Sequence, residues 1–160
     1  MSDGRRHIER LAQLVGRWTG TGNARFPTIE DCPYREETQF DWNASEPLLH
    51  YEQRTWRLAD AEPLHWESGF LMADDAGRFT LVNSQNGPRV ELLEGVLAEE
   101  SGGVLKLGLE SRLNAGDDRV VRTARLWTLA GGHFGYTVWM ATTRVPELGF
   151  HLEASLAKVG

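Results

Sequence analysis

Five histidines are scattered through the 160 residues, at His7, His50, His65, His133 and His151. None has a second histidine at the HxH, HxxH or HExxH spacing that a zinc site uses, and zinc needs three or four protein ligands. A histidine here must therefore act alone or serve structure. His151 is the one worth following. In FHLEASL, Phe150, Leu152, Ala154 and Leu156 alternate with His151, Glu153 and Ser155. Strict period-two logic puts Leu152 in a core and His151 outside it. Two departures would bring His151 inward: a bulge near Gly149 that re-aims the side chain, or a locally polar lumen with the apolar face packed outside.

Other chemistries find little support. The carboxylate pairs Glu36-Glu37, Asp74-Asp75, Glu99-Glu100 and Asp117-Asp118 are adjacent in sequence. Neighbours on a strand point to opposite faces, so no such pair makes a glycosidase dyad. There is no GxSxG elbow, and Cys32, the single cysteine, has no motif marking it as a nucleophile. A lone cysteine also excludes an intrachain disulfide and a cysteine-rich metal site. GRWTGTGNARFPT (16–28) is glycine-rich but is not a phosphate loop, because it lacks the Lys-Ser/Thr end and a following helix. Gly16, Gly20 and Gly22 around Trp18 instead read as strand positions that another backbone or a flat ligand approaches closely, with Trp18 plugging one end of a core.

The elements that must position these residues are almost all strands. HIERLAQLV (7–15) places Ile8, Leu11, Leu14 and Val15 at helical spacing before Gly16, predicting one short helix. Beyond it the period is two, through segments such as REETQFDW, LLHYEQRTWRL, VLKLGLESRL and VVRTARLWTL. Their separators are turn chemistry, including Asp74–Gly77, Asn86-Gly87-Pro88 and Gly131-Gly132. Strands joined by short turns pair consecutively and antiparallel. The expectation is an all-β fold: one antiparallel up-and-down β-barrel of about ten strands, in the manner of lipocalins and fatty-acid-binding proteins. It would form a single domain over 1–160, with 1–6 flexible.

The net charge of −6 gives no electrostatic footprint for nucleic acid or an anionic membrane. The N-terminus lacks the apolar stretch of a signal peptide, and no run of 18 apolar residues occurs. A cytoplasmic location is expected by default.

Five segments, in order, carry a resemblance. GRWTGTG with Phe-Pro-Thr (16–28), PYREETQF (33–40), PLHWESGFLM (63–72), NSQNGPRVELLEG (83–95) and MATTRVPELGFHLEASL (140–156) are similar to the signature blocks of the nitrobindins. These are haem-binding β-barrels also described as peroxynitrite isomerases. The resemblance runs from about residue 11 to 158.

That resemblance implies one haem b per chain, with His151 as the axial ligand of its iron. Five-coordinate haem leaves the opposite face open to a small ligand. The implied chemistry is nitric oxide binding and isomerisation of peroxynitrite to nitrate at ferric iron. The resemblance also implies haem contact by Thr28, cavity lining by His65 and Gln85, and apolar pocket walls from Met140 and Leu64. Relatives of this kind are often dimers, so a homodimer is one oligomeric outcome. The chain departs from the family at Asn23-Ala24-Arg25-Phe26, and at FDWNASEP, where Trp42 replaces a histidine and could narrow an opening. A third departure is GDDRVVR, where only Arg119 or Arg122 could replace a lysine near the pocket.

Two other readings stay open from the residues. The barrel could carry a fatty acid or another lipophile without haem, although no arginine reads as clearly inward-facing to hold a carboxylate. It could also be an interaction module with Trp56, Trp66 or Trp139 as surface anchors.

Overall fold

The alternating segments form strands, and each pairs with the next along the chain. The computed structural model describes residues 2–26 and 29–160. Among these, ten strands run antiparallel to their neighbours: β1 (Gly16–Phe26), β2 (Ile29–Trp42), β3 (Leu48–Arg57), β4 (Pro63–Ala73), β5 (Arg78–Gln85), β6 (Val90–Glu99), β7 (Leu105–Ala115), β8 (Val120–Ala130), β9 (His133–Thr142) and β10 (Gly149–Lys158). β1 also pairs with β10, so the sheet closes and leaves no open edge. The expected up-and-down barrel is the observed one. No helix among the described residues is long and apolar enough to cross a membrane.

Alternation decides what faces the lumen. On β3, Leu49, Tyr51, Gln53 and Thr55 are buried while the residues between them are more exposed. On β2, Glu36 is buried and its neighbour Glu37 is not, which separates that carboxylate pair across the wall.

One end of the barrel is closed by a plug of buried apolar side chains. The helix α1 spans Asp3–Glu9 and a single 3₁₀ turn covers Ala12–Leu14, so helical structure starts earlier than the 7–15 apolar spacing predicted and takes in residues 3–6. The reason lies in Ser2, whose hydroxyl accepts from the Arg5 N–H and caps the first turn. Ile8, Leu11 and Leu14 are fully buried against the barrel end. Trp18 plugs the same end, its Nε1 donating to the Leu14 carbonyl at 2.7 Å. Beside it Phe40, Trp127 and Phe134 meet edge to face, with ring centroids 5.5 to 5.8 Å apart.

Trp42 lies at this closed end too, bonded to the Glu46 carbonyl and packed on the core, so it does not narrow the opposite mouth. The motif glycines answer to close approach. A Cβ on Gly20 would lie 2.0 Å from the Ser155 carbonyl oxygen, and one on Gly22 would lie 2.4 Å from the Tyr34 ring.

Candidate functional site

At the other end two strand irregularities face a cavity. On β10, Phe150 pairs with Trp139 and Leu152 with Val138, leaving His151 as an extra residue between them. On β4, His65 pairs with Thr55 and Pro63 with Trp56, leaving Leu64 extra. An unpaired residue breaks alternation, so successive side chains can reach the same side. His151 and Leu152, and likewise Leu64 and His65, line one cavity of about 260 Å³. Ala24, Val138 and Tyr34 complete much of its wall. The bulge that would admit His151 is therefore present, centred on His151 itself.

Burial pushes the His151 imidazole pKa down from 6.5 to about 4. The charge of Arg89 pushes the same way, and a hydrogen bond with the Arg25 backbone opposes both. At neutral pH the ring is uncharged, the form that can ligate a metal. Among the described residues no three His, Cys, Asp or Glu side chains converge to hold a bare metal ion.

Between cavity and plug runs a belt of buried polar side chains. Arg125 on β8 forms a bidentate pair with Glu67 on β4, at 2.7 and 3.1 Å, and also bonds Glu91 on β6. Tyr51 and Thr123 donate to Glu67 and Glu91 respectively. His65 meets Glu67 at 3.0 Å. Burial alone would raise the Glu67 carboxyl, but the Arg125 charge and the His65 bond hold it far below the usual carboxylate range.

A second group surrounds Glu36, which accepts from Tyr136, from Thr38 at 2.7 Å and from Gln53 at 3.1 Å. No cation pairs with it among the described residues, and burial pushes its pKa up. Tyr34 meets Tyr136 at 3.0 Å, linking this group to the cavity wall. Burial, reinforced by the Glu36 charge, raises the Tyr34 phenol.

Of the residues proposed from sequence, the structure brings His151, His65 and Leu64 together around the cavity. Gln85 is one step removed, bonding Arg89, which does line it. Met140 is buried on the inward face of β9 but does not line the cavity. Thr28 lies outside the described residues.

The cation proposal needs correction. Arg119 pairs with Asp117 and Arg122 with Glu110, both exposed, whereas Arg125 and Arg89 face the cavity. Arg125 was missed because VVRTARLWTL reads as an apolar alternation in which one inward arginine carries no signal of its own. Only its partners, 34 and 58 residues away, make its burial tolerable. The three tryptophans do not form one surface. Trp56 and Trp66 sit under Arg35 and Arg54, each 4.1 Å from the ring, while Trp139 lies on β9 beyond β10, β1 and β2.

Comparison with known proteins bears on this cavity. Residues 7–158 match the family model described as a THAP4-like, heme-binding beta-barrel domain. The chain is 33% identical over 152 residues to a protein of Arabidopsis thaliana named peroxynitrite isomerase Rv2717c, covering 95% of this chain and 89% of that one. It is 34% identical over 152 residues to peroxynitrite isomerase 1 of Mycolicibacterium paratuberculosis, covering 93% and 92%. The crystal structure of Rv2717c from M. tuberculosis superposes with a TM-score of 0.89 at 28% identity, over 96% of this chain and 98% of that one. An S-type phycobiliprotein lyase from Guillardia theta shares the fold alone, with a TM-score of 0.66 at 11% identity.

Proposed function

The chain belongs to the THAP4-like heme-binding β-barrel family, the nitrobindins, and on that premise we propose that it holds one haem b at the 260 Å³ cavity with His151 as axial ligand. The observation that carries the reading is the bulge, which turns a neutral, half-buried imidazole into a cavity that Ala24, Leu64, Val138 and Leu152 line on its apolar side. The cavity is smaller than the roughly 300–1,000 Å³ of typical ligand pockets, so a haem would extend out of its mouth. Ala24, Leu64, Val138 and Leu152 would flank the porphyrin. Bound there, a ferric haem would supply the chemistry of nitric oxide binding and of peroxynitrite isomerisation to nitrate.

The chain's own residues have simpler tasks. Burial keeps His151 deprotonated and ready to ligate. The bond between His65 and Glu67 fixes the His65 ring on the wall. Beneath them the polar belt and the aromatic plug close the lumen from below, so access is through the mouth.

The test is an absorption titration of the purified chain with hemin, alongside His151→Ala. Stoichiometric binding with a sharpened Soret band, lost in the variant, supports the assignment. A band that His151→Ala reproduces removes His151 from the role. The carrier reading gains one observation, since Arg89 supplies the cavity cation it had lacked. A lipophile carrier would bind a fluorescent fatty acid equally well with and without His151.

A further inference from the structure

The two arginines of the cavity are not equivalent. Arg125 is matched by Glu67 and Glu91. Arg89, in the turn between β5 and β6, lies within ion-pair distance of no carboxylate among the described residues, and its side chain makes one hydrogen bond, from Nε to Gln85 Oε1 at 2.9 Å. That amide is itself held: Gln85 Nε2 donates to Glu91 Oε1 at 2.7 Å and to Asn83 Oδ1 at 3.1 Å. The Arg89 guanidinium is therefore aimed by a fixed partner, and its two terminal nitrogens are left to bind something else.

Charge counting points the same way. Of the carboxylates and guanidiniums that line the cavity, Glu67 offsets Arg125, and Arg89 leaves the wall with one positive charge in excess. Asp117 also feels the Arg89 charge, but both its oxygens are taken by Arg119, at 2.9 and 3.0 Å. A second donor waits nearby. The Nε–H of Arg125 is buried with no hydrogen-bond partner, and Arg125 lines the same cavity. A buried unsatisfied donor is costly, and an acceptor oxygen in the cavity would relieve it. Arg89 stands across the lumen from β10, because β6 and β10 are separated by β7, β8 and β9 on one side and by five strands on the other.

We propose that Arg89, positioned by Gln85, seats a small oxyanion in this cavity and makes it prefer anionic over neutral ligands. The proposal deepens the peroxynitrite reading and rests on it for the identity of the physiological anion. Oxyanion seating itself follows from the donors alone. Without Arg89 the wall has no positive charge in excess, and the attraction on an entering anion is lost.

Two measurements decide it. In the haem-free chain, nitrate is titrated against chloride at constant ionic strength, following the arginine Nε–H resonances by NMR. Saturable shifts at Arg89 and Arg125, weakened roughly tenfold or more in Arg89→Gln and kept in Arg112→Gln on the outer wall, are expected. No saturable shift, or equal binding by Arg89→Gln, overturns the proposal. In the hemin-loaded ferric chain, azide and imidazole affinities are compared. Arg89→Gln should weaken azide about tenfold and leave imidazole unchanged. If it weakens hemin binding instead and leaves the azide-to-imidazole ratio intact, Arg89 holds a porphyrin carboxylate and the proposal fails. Failure of both chains to bind hemin would sink the haem reading, and the nitrate titration would then decide the proposal by itself.

Discussion

His151 illustrates how a single residue's chemistry is set by its surroundings. Burial lowers its pKa from 6.5 to about 4, with the Arg89 charge adding to the effect. The folded chain therefore refuses a proton that the unfolded chain accepts. The stability this contributes is whole above about pH 6.5, declines as the pH falls, and is gone below about pH 4. An NMR titration of the haem-free chain should place the His151 ring midpoint near 4. A midpoint at the ordinary histidine value would put the ring in water and deprive the site of its neutral ligand. The same burial that costs proton affinity keeps a lone pair available in mildly acidic solution.

At the scale of the element, the decisive feature is one residue's worth of extra strand. With Phe150 opposite Trp139 and Leu152 opposite Val138, β10 keeps Leu152, Ala154 and Leu156 inward and still delivers His151 to the cavity. Deleting Phe150 would remove the bulge. His151 would then stand opposite Trp139 and face outward, while Leu152 onward would hold its register. The expected outcome is a barrel with near-normal circular dichroism that no longer gives a hemin Soret band. Retained haem binding in that deletion would mean the bulge is not what aims the ligand. The glycines of β1 belong to this scale too. Gly20 and Gly22 let β10 and Tyr34 come close to β1, and so bring the strand that bears His151 against its neighbour.

Over the whole molecule the lumen is layered: an aromatic plug sealed by α1, a belt of buried charges, and the cavity. The belt ties together strands distant around the barrel, because Arg125 on β8 spans to β4 and to β6. Buried pairs add little net stability while intact, but breaking one strands a charge. Arg125→Met would leave Glu67 and Glu91 facing each other without a cation. Chemical denaturation should show a loss of about 3–5 kcal/mol at pH 7, shrinking as the carboxyls are protonated in acid. A loss below about 1 kcal/mol would show that water reaches the belt.

Much of this was legible in the residues. Period-two alternation and turn chemistry determined an antiparallel barrel, because the pleat sends every second side chain inward and short turns permit only neighbouring pairs. The motif spacing around Gly16, Trp18, Gly20 and Gly22 marked a crowded opening strand, and the five blocks marked the family. Alternation failed at the site itself. His151 reads as outward, because a bulge is a property of two strands in register and leaves no periodic trace in one. Arg125 was invisible for a related reason: an inward arginine is tolerable only beside carboxylates brought from other strands by closure. Gln85 meets the cavity through Arg89, and Met140 is buried on the inward face of β9. Local periodicity determined the barrel; only closure of the sheet, which sets distant strands face to face, decided which side chains line its cavity.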